Sequence, residues 1–115
     1  MPKLELPIAI AFGLLLQAGA ASAQIQPPAV VSAVNTLSQL RVYSENCGLT
    51  SAETLRAEFV ERMAATGRVE RPALEAYVDE VYREEKGKTS GSCVPSHIEN
   101  LGVIYRGQLD RAVAE

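Results

Sequence analysis

Three residues of this chain could carry polar chemistry by type and spacing: Cys47, Cys93 and His97. Cys93 and the only histidine stand four residues apart in GSCVPSHIEN, Gly91 to Asn100. A cysteine near a helix N-terminus has a lowered pKa, and an imidazole beside it helps form the thiolate. That pairing would be a nucleophile and its base. The same trio could instead give a metal three ligands, with Glu45 or Glu99 as the fourth. The third option is a disulfide between Cys47 and Cys93 beside a surface histidine.

The surroundings favour the disulfide. No Asn or Asp is placed in sequence to orient His97, and the ligand spacing matches no zinc pattern. A di-iron bundle needs two Glu-x-x-His motifs, which one histidine cannot supply. Cys-x-x-Cys and Cys-x-x-Cys-His are absent, which removes the thioredoxin-like and heme-attachment readings. No glycine-rich phosphate loop, G-x-S-x-G elbow, H-E-x-x-H pair or Asp-rich calcium loop occurs either. The expectation is a protein without catalytic residues, metal or cofactor.

The redox argument depends on address. The chain opens MPKLELPIAIAFGLLLQAGAASAQIQPP. Lys3 gives a short basic start, Ile8 to Leu16 an apolar run, and Ala21-Ser22-Ala23 the small-x-small pattern of signal-peptidase sites. A membrane span needs roughly 20 apolar residues, so this run reads as a cleaved signal peptide, residues 1–23. Residues 24–115 then form one helical domain, periplasmic or secreted, with no stable membrane span. Two cysteines in a short exported chain pair with each other. Lys3 and Glu5 cancel, so the domain keeps the net charge of −3. The signs are interleaved, and no basic face against phosphate emerges, which excludes nucleic acid as the expected partner.

Four amphipathic stretches must position these residues. The first follows Pro27-Pro28 with the stripe Val30, Val34, Leu37, Leu40, continued by Tyr43 and Cys47, and Gly48 stands at its end. The second has Thr50 and Glu53 at capping-box spacing, then Leu55, Phe59 and Met63, and closes at Gly67. The third begins at Pro72 and presents Leu74, Tyr77, Val78, Val81 and Tyr82. Its segment DEVYREEK, Asp79 to Lys86, reads as a solvated acidic face softened by Asp79–Arg83. The fourth begins at Ser96 and Glu99, another capping box, and carries Ile98, Leu101, Tyr105, Leu109 and Val113.

Gly102 and Gly107 interrupt the fourth pattern, so either a neighbour approaches closely at Gly102 or the helix breaks near Gly107. The stretch ENLGVIYRGQLDRAVAE resembles part of a tetratricopeptide repeat at Leu101-Gly102, Tyr105 and Ala112, over fewer than twenty residues. No second copy occurs, and such repeats need stacking. The resemblance implies only that Gly102 is a close-packing position.

Short links predict an all-α, up-down-up-down four-helix bundle stapled by one disulfide. In that topology the first helix ends, and the fourth begins, at the same end of the bundle, which brings Cys47 and Cys93 together. A stapled body without catalytic residues predicts a non-catalytic protein-interaction module of adaptor, inhibitor or immunity type. Its partner would be a protein, met by a patch that includes Tyr43 and His97. The alternative is an acid-stress-type periplasmic chaperone, which shares the plan of few helices and one disulfide. A thiol or metal site at Cys93 and His97 is the further alternative.

Overall fold

The computed structural model describes residues 26–88 and 91–115. The expected signal peptide, residues 1–23, lies outside the described residues. Four helices follow in order: α1 (Pro28–Asn46), α2 (Ser51–Ala65), α3 (Arg71–Lys88) and α4 (Pro95–Ala114). The described residues contain no strand. Cross-helix pairs fix the directions. Arg41 and Glu45 of α1 meet Asp79 and Lys86 of α3 in rising order, so α1 and α3 run parallel. Arg56 of α2 meets Glu75 and Asp79, while Glu61 meets Arg71, so α2 opposes α3. Cys47–Cys93 and Tyr43–His97 set α4 against α1. The bundle is up-down-up-down, as the linker lengths predict.

Its arrangement is less even than a square of neighbours. Helix α1 packs on all three others, most extensively on α4, whereas α3 and α4 do not meet. The central role of α1 explains its composition. Val30, Ala33, Val34, Leu37 and Leu40 are buried on several sides of the helix, together with the polar Ser38, Arg41 and Ser44. Phe59 and Met63 of α2, Leu74 and Val78 of α3, and Tyr105, Leu109 and Ala112 of α4 complete the core. On α4 the buried residues all lie in the C-terminal half, and Ile98 and Leu101 are only partly covered. The core is therefore densest away from the disulfide.

Helix ends follow local chemistry with two departures from the sequence reading. After α1, Gly48 adopts φ +71°, donates to Glu45 O at 2.9 Å, and lets Leu49 N donate to Ser44 O at 2.9 Å. This pair of bonds is the Schellman arrangement, and it needs a residue that reaches the left-handed region without strain. Gly67 also takes a positive φ, +73°, after α2 and donates to Ala64 O at 3.1 Å, while Arg68 N donates to Thr66 Oγ1 at 3.2 Å. Neither expected capping box forms. Thr50 makes no side-chain cap, and Glu53 turns instead toward Arg41 at 3.6 Å. Helix α4 starts at Pro95, one residue earlier than Ser96 would place it, with extended Val94 before it. Proline pre-sets the helical φ and forces its predecessor to be extended, so the start moves to the proline.

Gly102 and Gly107 neither break α4 nor pack against a neighbour. The helix is continuous through both, and a Cβ added at either would meet nothing within 4 Å. The close packing implied by the repeat resemblance is absent, because half-buried Gly102 borders open space between helices and Gly107 is exposed.

Candidate functional site

At one end of the bundle the disulfide closes α1 onto the start of α4. The S–S distance is 1.99 Å and the Cα atoms lie 4.7 Å apart. Asn46 Nδ2 donates to Ser92 O at 3.2 Å and holds the incoming loop beside it. Among the described residues no cysteine is free. Oxidised in this way, Cys93 offers His97 no thiol to activate and offers a metal no thiolate. Among the described residues, no three of His, Cys, Asp and Glu form a cluster able to hold a metal ion.

The two residues expected in a contact patch do come together. The Tyr43 and His97 rings meet edge to face, with centroids 5.3 Å apart and an interplanar angle of 82°. Both line a shallow depression of about 260 Å³ between α1 and α4, with Gln39, Asn100 and Leu101. His97 lies in the first turn of α4, where its backbone N–H donates to Val94 O at 3.0 Å.

Two features at this end were missed from sequence. The first is a cavity of about 560 Å³ on the other flank of α4, between α4 and α2. Leu40 of α1 lines it, with Leu55 of α2 and Ile98 and Val103 of α4. Glu58, Glu99 and Arg106 add charge to its lining. None of these three makes a hydrogen bond or ion pair within the described residues. Ser44 and Tyr105 also line the cavity, and their hydroxyls are buried without a hydrogen-bond partner. Burial, reinforced by the nearby Glu58 carboxylate, pushes the Tyr105 phenol well above its usual range.

This cavity adjoins a second, of about 400 Å³, that lies over the disulfide and is lined by Leu49 and Pro95. Ile98 and Glu99 line both. Together they form one groove from the disulfide along α4. Leu49, Val103 and Ile104 are 47, 66 and 50 % exposed, and they are the large aliphatics the described surface leaves in water. Val103 and Ile104 fall between the core-facing positions Leu101 and Tyr105, so a core-stripe reading passes over them. The legible signal was the adjacent pair itself, two aliphatics off the stripe beside a glycine.

The second missed feature is a charged seam where α1, α2 and α3 meet. Arg56 Nε donates to Asp79 Oδ1 at 2.8 Å and Arg56 Nη2 to Asp79 Oδ2 at 3.0 Å, a bidentate pair. Arg41, only 5 % exposed, approaches the same carboxylate at 3.5 Å, an ion-pair distance too long for a hydrogen bond. Its guanidinium carbon sits 3.9 Å from the centroid of the Tyr82 ring, and Tyr82 in turn donates its hydroxyl hydrogen bond to Glu45. The hydrogen bond from Arg56 holds the Asp79 carboxyl below the usual carboxylate range, and the Arg41 charge adds to this. Asp79 is thus a three-helix tie instead of part of a solvated face. Glu80 and Glu84 do face solvent as expected.

No protein-family model, curated protein or solved structure shows significant similarity to this chain.

Proposed function

We propose that this chain is a small exported, periplasmic, non-catalytic protein-interaction module of adaptor, inhibitor or immunity type. The secretory layout of residues 1–23 and the paired cysteines support the address. The observation that carries the binding role is one groove at the disulfide end whose lining includes the exposed aliphatics Leu49 and Val103. Large aliphatics left in water beside a groove make a surface suited to a partner. Tyr43 and His97 extend this surface across α4.

The test is capture from periplasmic extract by the disulfide-bonded protein, alongside a Val103→Glu variant. A specific partner held by the wild-type protein and lost by the variant is the expected result. Capture of nothing specific overturns the reading. Intact-mass analysis of protein from its native compartment checks the address: cleavage after Ala23 with no alkylatable cysteine is expected.

One observation favours a second reading, the acid-stress chaperone. A single carboxylate, Asp79, ties Arg56 and Arg41 across three helices, so its protonation would loosen the seam and release apolar faces. Failure to suppress aggregation of an acid-unfolded client at about pH 2 to 3, below the usual carboxylate range, removes this option.

A further inference from the structure

We infer that the groove between α2 and α4 takes one amphipathic helix of a partner protein, bearing a basic side chain beside its apolar stripe. This inference rests on the reading of the chain as a protein-binding module and names the occupant. Three observations define it.

The first is length. The groove follows α4 from Pro95, over the disulfide, to Arg106 near its inner end. At a rise of 1.5 Å per residue that stretch is about 16 Å, or about three helical turns. A small molecule would fill the inner cavity but leave Leu49 and the disulfide bare. A helix laid along α4 covers both.

The second is the shape and chemistry of the walls. Leu55 on one helix and Ile98 and Val103 on another flank Leu40, the arrangement that receives apolar anchors spaced three and four residues apart. The described residues offer no sheet edge for strand addition.

The third is charge. Two carboxylates, Glu58 and Glu99, line the groove without ion-pair partners among the described residues, against one guanidinium, Arg106. The balance is negative, and it selects a lysine or arginine on the occupant.

Gly102 makes the inference testable without damage to the fold. It lines the groove inside a continuous helix, and its Cβ position is open. Gly102→Phe therefore fills the groove while replacing a poor helix former with a better one. The probes are two helical peptides of about three turns with the same leucine stripe, one flanked by lysines and one by glutamates. Binding to the disulfide-bonded protein is read by fluorescence anisotropy.

The lysine peptide is expected to bind at least about tenfold tighter than the glutamate peptide. Gly102→Phe should weaken it by about tenfold or more, with an unchanged or raised Tm. The double variant Glu58→Gln, Glu99→Gln should erase the preference for lysine, and Glu80→Gln, on the solvent face of α3, should change nothing. Binding of neither peptide, equal binding of both, or indifference to Gly102→Phe overturns the inference. So does occupation of the groove by a fatty acid when neither peptide binds.

The two readings fail separately. A native partner that Gly102→Phe still captures overturns the groove and leaves the protein-binding reading intact. Peptide binding that behaves as described, with no partner captured from extract, does the reverse.

Discussion

Helix α2 has two flanks, and the bundle closes one and leaves the other open. On the α3 side, Arg56 grips Asp79 with two hydrogen bonds, Arg71 reaches Glu61 at 2.7 Å, and buried Arg41 joins from α1. On the α4 side, contact is confined to the half away from the disulfide. There Phe59 and Tyr105 lie 6.5 Å apart, Arg62 meets Asp110 at 3.1 Å, and Arg68 donates to the last carbonyls of α4. Nearer the disulfide the helices separate around the groove. The closed flank spends charged side chains on one another, and the open flank keeps aliphatics and unpaired charges facing water. Charge that is satisfied internally holds the fold, and charge left unsatisfied beside apolar surface is available to a partner.

Cutting the staple should break this contrast most severely. The Cys47–Cys93 bond closes a loop with a sequence separation of 46, which corresponds to about 4 kcal/mol in the chain-entropy model. Small domains are stable by about 5 to 15 kcal/mol in total. Cys93→Ser is expected to melt far below the wild-type protein and to lose groove binding, because the outer end of the groove is built on the bond. A melting curve that does not move would contradict the role given to the staple.

Removing the central carboxylate tests the closed flank next. Asp79→Asn leaves Arg41 buried near Arg56 with only the looser contacts to Glu53 and Glu75. The loss should be about 2 kcal/mol in urea unfolding, less than for a fully buried pair because Asp79 is partly solvated. The same group sets a pH dependence. Its folded pKa is depressed below 3.8, so the stability it contributes is present above that value and disappears as pH falls through the lowered one. Acid titration of the wild-type protein should show this loss below about pH 4, and Asp79→Asn should show less of it. Parallel curves for the two proteins would mean that other carboxylates carry the acid response.

The glycines give the smallest and most discriminating effects. Gly102→Ala should stabilise the protein by up to about 1 kcal/mol, because the position is helical and open. Gly48→Ala should destabilise it by about 1 kcal/mol, because φ is +71° there. Thermal denaturation of the two variants distinguishes an open groove from a packed one. A destabilised Gly102→Ala would restore the close-packing role that the sequence suggested.

The helices, their directions and the disulfide were legible because each rests on local rules: apolar spacing, terminal glycines, short links and paired cysteines in an exported chain. The same rules brought Tyr43 and His97 to one end of the bundle. They failed where two local rules competed, as at Pro95, where proline outranked the serine cap. They failed again where a side chain had a distant partner. Glu53 left its expected cap for Arg41, and Asp79 left the helical pair with Arg83 for Arg56, preferences set by tertiary proximity. The groove was illegible for a related reason. Spacing says which residues can face a core, whereas the divergence of α2 from α4 depends on how α1 seats all three neighbours. Arg41 between Leu40 and Val42 was the one sequence hint of the seam, the single basic residue of its helix.

The most direct test of the open flank is amide chemical-shift mapping on the isotopically labelled, disulfide-bonded protein as the lysine-flanked peptide is added. Perturbations concentrated at Leu55, Glu58, Ile98, Gly102 and Val103, with the Arg56–Asp79 seam unmoved, are the expected result. Shifts confined to the Tyr43–His97 face, or none at the groove, would contradict the account.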